Sequence, residues 1–211
     1  FEGAWEQLPS YLLLGLLSGL AAVAFTKLLY LTDDVGKRWL PSWWIRALVF
    51  GTIVGVVGVA FRGPSPSDSN ATRADRIERG QPATPPLFGV GYHAVDHALH
   101  LSRDAKPMND VPTELESDKE EKIVFVLPED MLAEFWWLLP LAFFKPILTS
   151  LSLGGGGSGG IFAPSLFIGA TTGACFGLFC NMYVPSLSAN PGAYAIVGMG
   201  AVVAGTTHGI L

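Results

Sequence analysis

From Pro146 to Leu211 the chain contains no aspartate, glutamate, lysine or arginine. A site in that tract must therefore work through backbone groups or neutral side chains. Charge is scarce everywhere: 15% of the 211 residues are charged, where soluble domains carry about 25%. Half of the residues are hydrophobic, which is the composition of a membrane protein. The formal net charge of −5 and the lack of a basic face exclude nucleic acid as a partner, because phosphate binding needs one. Much of the acid is local, in Glu114–Glu121 (ELESDKEE). Cysteine is limited to Cys175 and Cys180. Five positions apart on one apolar helix they face different directions, so they read as buried inert thiols with no disulfide. The opening FEGAWEQLPS has no basic n-region, so no signal peptide is expected. It also has no initiator methionine, which points to a piece of a longer protein. No Gly-Lys-Ser/Thr follows the glycines at 154–160, which excludes a phosphate-binding P-loop, and no HExxH occurs.

Long apolar runs fill the rest. Tyr11–Thr26 with Leu28–Leu31 gives about 20 residues, enough to cross a bilayer. That helix is expected to end near Thr32-Asp33-Asp34, with a link over Val35–Ser42. Trp39, Trp43 and Trp44 cluster there as interfacial aromatics do. Trp43–Phe61 predicts a second span. Gly15 and Gly19, and Gly51, Gly55 and Gly58, suggest close helix approach. Residues 64–86 form a polar, Pro- and Ser-rich loop. Within it Asn70-Ala71-Thr72 matches a glycosylation acceptor, a three-residue pattern that also arises by chance. Leu87–Leu101 predicts a helix too short to span, and residues 102–130 hold a second polar connector. Met131–Leu153 and Ile161–Met182 predict two further spans. Gly169, Gly173 and Gly177 mark one face of the latter, and Ala193–Thr207 predicts a last, shorter helix.

The organising stretch is Gly154–Pro164, GGGGSGGIFAP. Pro164 fits an apolar helix without loss of a hydrogen bond only in the first turn. That leaves unpaired amides at about Ile161, Phe162 and Ala163. In lipid such donors need an acceptor: another segment, water, or an anion at the positive helix end. An anion site and a plain flexible link both fit the residues at this point.

Phe144–Ala170 resembles the segment that carries the Gly-x-Phe-x-Pro signature of the CLC family of chloride channels and chloride/proton antiporters. Gly160-Ile161-Phe162-Ala163-Pro164 supplies that signature in full. Pro191–Thr206 resembles the next family helix, with its Ala-x-x-Gly-Met-Gly-Ala pattern. Tyr11–Asp33 and Trp44–Gly63 resemble the pair opening the second half of the fold, and Gly89–Tyr92 the start of the short helix after it. The resemblance implies an all-α polytopic membrane protein over 1–211: the C-terminal half of an inverted-repeat fold with broken, re-entrant helices and polar insertions at 64–86 and 102–130. It implies multi-pass membrane localisation and chloride transport, with Cl⁻ contacted by the amides of Ile161 and Phe162. The Phe162 ring would line the pathway, and Gly159, Gly160, Ala163 and Pro164 would support the loop. It implies no cofactor, no metal and no enzymatic step. The partners it implies are chloride, the bilayer and, in the full-length protein, a second copy. The serine loop, gate glutamate and pore tyrosine of the family have no counterpart here, and Tyr194 is not the pore tyrosine. His208-Gly209-Ile210-Leu211 departs from the family's Arg-Ala-Pro-Leu-Thr.

Two other features compete. His93, Asp96, His97 and His100 fall on one helical face at zinc-compatible spacing. A membrane metalloprotein using His93, His97 and His100 is the alternative this suggests; the plainer reading is the polar face of an interfacial helix. A half that does not transport until it meets a partner chain is a further alternative, and this chain alone in liposomes is expected to give no flux. Lys145 is the last charge before the uncharged tract. It reads as a structural, snorkelling lysine, with anion attraction as the alternative.

Overall fold

The structure is a computed structural model and describes residues 7–60, 87, 91–102, 124–125, 131–184 and 188–208. Asn70 and nearly all of the two polar stretches lie outside the described residues. The described helices are α1 (Leu8–Trp39), α2 (Trp43–Ala60), α3 (Tyr92–His100), α4 (Met131–Gly154), α5 (Phe162–Tyr183) and α6 (Pro191–His208). α1, α2, α4 and α5 are long and apolar enough to cross a membrane. The expected all-α class holds with one small addition: Leu101–Ser102 (β1) pairs in parallel with Val124–Phe125 (β2).

α1 is longer than expected. Asp33 and Asp34 do not end it; it continues to Trp39. The aspartate that looked like a terminus forms an i,i+4 ion pair with Lys37, a spacing that supports a helix. Lys37 and Arg38 then sit in the last turn, at the negative end of the dipole. Pro41 follows two residues later and cannot extend the helix. Trp39, Trp43 and Trp44 are all exposed, as an interfacial belt requires.

α5 is the central element. In its most apolar window 61% of residues are buried, against 11% in α2. Its small-residue face lies on the backbone of α6. A Cβ on Gly169 would come within 2.5 Å of the Gly198 carbonyl oxygen. One on Gly173 would overlap the Tyr194 carbonyl oxygen, and one on Gly177 would lie 2.7 Å from Pro191 Cα. Gly205 in turn approaches Ala22 of α1. Gly15, Gly19, Gly51 and Gly55, in contrast, have no neighbour within 4 Å of a built Cβ. The tight packing expected at those four is absent among the described residues, because these faces of α1 and α2 look outward.

The core follows from this arrangement. Leu138, Leu141 and Leu148 of α4 pack with Phe167, Ala170, Ala174 and Leu178 of α5, and with Ala94 and Ala98 of α3. A second cluster joins Ala22 and Phe25 of α1, Ile168 of α5 and Val202 of α6. Several buried hydroxyls return to carbonyls one turn back, as for Thr171 on Phe167 (2.8 Å) and Thr206 on Val202 (3.0 Å), whereas the buried Ser18 Oγ of α1 has no partner among the described residues. That pairing keeps the bonded hydroxyls satisfied where water is absent. Tyr194 is fully buried. Ser10 Oγ donates to the Gln7 carbonyl at 2.6 Å, so the Tyr194 hydroxyl donates to Ser10 Oγ, also at 2.6 Å. It accepts from the Ala189 amide at 3.1 Å. Cys175 and Cys180 are free thiols.

Candidate anion site

The glycine loop starts as an ordered turn. Gly156 N–H donates to Leu153 O (3.0 Å) and Gly157 N–H to Ser152 O (3.0 Å). With Gly156 at φ 97°, this is a Schellman ending of α4, which needs a left-handed residue at that point. Gly154 is close-packed on Thr32, where a Cβ would lie 2.8 Å from Cγ2. Residues 154–157 therefore do not behave as a featureless linker. Gly156→Ala is expected to lower stability by about 1 kcal/mol or more, since alanine at positive φ is strained; thermal melting of the purified protein checks it.

After the turn the chain enters α5. Phe162 is its first residue and Pro164 lies in its first turn, as the proline position predicts. Ile161 precedes the helix in an αR conformation and provides no side-chain cap. Serine, threonine or aspartate there would accept from a first-turn amide; isoleucine cannot. The amides of Ile161, Phe162 and Ala163 have no acceptor among the described residues. Ser165 Oγ turns to the Phe162 carbonyl instead (2.7 Å). The Ile161 side chain packs against the Ala22, Phe25, Ile168 and Val202 cluster, which fixes the helix end. The Phe162 ring is 59% exposed. What the arrangement offers is a row of N–H groups at the positive end of a 22-residue helix, with no ionised side chain in α5.

A cavity of about 280 Å³ lies against the loop. Its walls include Lys145 and Thr149 of α4, Gly159 and Gly160 of the loop, and Pro164 of α5. Lys145 is 3% exposed. Its Nζ donates to the Leu87 carbonyl at 2.9 Å and sits 4.8 Å from the centre of the Phe167 ring. The sequence reading of Lys145 as a lysine snorkelling to the interface is therefore corrected: the ammonium is held inside the bundle.

The histidine face divides. His97 Nε2 donates to Glu134 Oε2 of α4 at 2.9 Å, and Glu134 is fully buried. His100 Nδ1 donates to the Asp96 carbonyl on its own helix at 2.7 Å. The His93 side chain lies outside the described residues. No group of three His, Cys, Asp or Glu able to hold a metal occurs among the described residues. The partner of His97 escaped sequence reasoning, although a lone glutamate at the start of an apolar segment is a signal in itself.

Four long apolar helices, one of them free of charge, packed on its neighbour backbone to backbone and starting in unpaired amides, define a polytopic membrane protein whose candidate ligand site is made of main chain. The family model described as voltage gated chloride channel matches residues 2–211. The chain belongs to that family. A Vibrio cholerae serotype O1 protein named H(+)/Cl(-) exchange transporter ClcA is 47% identical over 72 residues, covering 34% of this chain and 15% of that protein. The same-named protein of Vibrio campbellii is 47% identical over 64 residues, covering 30% of this chain and 14% of its own length. Chloride channel protein CLC-f of Arabidopsis thaliana is 28% identical over 212 residues, covering 94% of this chain and 20% of that protein. The chain thus spans about a fifth or less of the length of these relatives. No solved structure matches the chain.

Proposed function

We propose that this chain forms one wall of a chloride pathway across the membrane, with Cl⁻ held by the N–H groups of Ile161 and Phe162. The observation that carries this reading is the set of amides at the start of α5 without an acceptor among the described residues. Gly159 and Gly160 let the backbone come close to the ion, and Pro164 fixes the first turn. Ala163 adds a third donor. Partial charges replace the hydration of the ion, and their modest strength lets it leave again. The work is passage of an ion, with no covalent step, and the intact protein acts as a homodimer. The names of the relatives, exchange transporter and chloride channel, support chloride as the transported ion.

The test is chloride release from liposomes that hold the intact protein, with external pH followed at the same time. Chloride flux is expected, and proton movement against it would mark an exchanger. Liposomes that keep their chloride as protein-free ones do would overturn the reading.

A further inference from the structure

The amide site lies in the uncharged tract. The basic residues Lys37, Arg38 and Arg46 gather instead around the link between α1 and α2, in a chain whose net charge is −5. α1 has 32 residues, about 48 Å of helix against a hydrocarbon core of about 30 Å. Its last two turns therefore stand at the level of the lipid headgroups. Trp39, Trp43 and Trp44 are exposed and mark the same level.

All residues from 31 to 50 are described. The charged side chains on these turns are the three cations, Asp33 and Asp34. Lys37 pairs with Asp33. Arg38 is exposed and Arg46 partly buried. Neither guanidinium forms an ion pair or hydrogen bond among the described residues. The negative end of α1 meets the positive end of α2 here, and the two dipole ends offset. The side chains then set the sign, which is positive by a single charge.

Arg46 is held in place by its stem, which crosses onto α1. Its Cδ would lie 2.9 Å from a Cβ built on Gly36, so glycine at 36 leaves room for that path. The crossing buries Nε, which has no acceptor among the described residues. A guanidinium grips phosphate as a fork, with two N–H groups side by side. That edge of Arg46 is unused. Beyond it, Trp44, Ile45 and Leu48 are exposed. Their spacing of three and four puts them on one face, an apolar strip leading away from the corner along α2.

We propose that this corner binds an anionic phospholipid. Arg46 and Arg38 take its phosphate, and the strip from Trp44 to Leu48 lies along an acyl chain. A small turn of the Arg46 guanidinium brings its Nε edge to the phosphate. The charge fits, since a singly negative headgroup meets a single net positive charge. The strip favours a lipid over soluble phosphate, which gains nothing from apolar contact. This inference does not depend on the transport reading.

The experiment puts the intact protein in phosphatidylcholine vesicles with a small share of phosphatidylglycerol that carries a photoreactive group near the top of one acyl chain. Crosslinks mapped by peptide mass spectrometry are expected between Gly36 and Leu48. Neutral phosphatidylcholine with the same photoreactive group should give far fewer there. Arg46→Gln should weaken labelling roughly fivefold, and Arg38→Gln with Arg46→Gln roughly 30-fold, one interfacial charge each. Arg46→Lys should keep most of it. Free glycerol phosphate should not compete; full competition would place a soluble anion here and overturn the lipid assignment. Equal labelling by the neutral lipid, or labelling only elsewhere, would also overturn it. The wild-type map decides the location even if a variant fails to fold.

Discussion

Gly173→Ala is expected to lower the melting temperature of the purified protein by roughly 6–12 °C, the equivalent of about 3 kcal/mol in a chain of this size. The added methyl would overlap the Tyr194 carbonyl oxygen and come within 2.7–2.8 Å of Tyr194 C and Ala195 Cα. All three are backbone or bonded directly to it, so no rotamer change relieves the clash. α5 and α6 would have to separate along their shared face. Gly169 and Gly177 then lose their fit as well, because all three glycines meet the same helix. The control is Gly55→Ala, which has open space at its Cβ. There the usual helical preference of alanine over glycine makes the change neutral or stabilising by up to about 1 kcal/mol. Size-exclusion-monitored melting in detergent separates the two. Equal melting of the two variants would show that α5 and α6 do not pack through this glycine face.

The second large effect concerns the donors themselves. Replacing the Phe162 amide by an ester should weaken chloride binding roughly 10- to 100-fold, the value of one hydrogen bond to an ion. The fold should be kept, with a loss of stability of about 1 kcal/mol or less. A first-turn N–H has no partner within its own helix, so no donor is lost from the ladder; the Ile161 carbonyl, which accepts from Ser165 N–H at 3.0 Å, becomes a weaker ester acceptor, and the stability cost is limited to that one bond. Phe162→Ala is the complementary change: it keeps the N–H and removes a ring that is 59% exposed. Its expected chloride affinity stays within about threefold of wild type, a difference of less than 1 kcal/mol. Isothermal titration of the intact protein with chloride reads both. If the ester binds as tightly as the native amide, the main-chain site is wrong.

The outcome shows what linear spacing can and cannot reveal here. The start of α5 was legible because Pro164 keeps every helix hydrogen bond only in the first turn, although Pro140 and Pro146 inside α4 show that the costlier interior position also occurs. The face of Gly169, Gly173 and Gly177 was legible from its four-residue period. Yet Gly15 and Gly19 have the same spacing and touch nothing within 4 Å. A small-residue period states that close approach is possible, and the neighbouring helix decides whether it happens. Charge misled at Asp33 and Asp34, which looked like an exit from the membrane. The local pair with Lys37 made them compatible with another turn and more of α1. The contact of His97 with Glu134 spans 37 residues. No periodicity within one helix can report it. The ordered turn at Gly156 was hidden because six glycines and a serine give no indication of which one takes the left-handed position.

The buried Tyr194 hydroxyl has a further consequence, for the order in which the molecule is built. Its bond to Ser10 joins residues 184 apart in sequence. Closing a flexible loop of that length costs on the order of 4–5 kcal/mol of chain entropy. The face shared by α5 and α6 closes a far shorter loop, from Gly177 to Pro191 at its tightest. Local contacts of that kind form early, and distant ones wait until much of the entropy has been lost. The hairpin of α5 and α6 is therefore expected to assemble before α1 docks on it. Synthesis runs the other way, from the N-terminus. Of the described helices, the first to leave the ribosome is thus expected to settle only after the α5–α6 pair that follows it has formed.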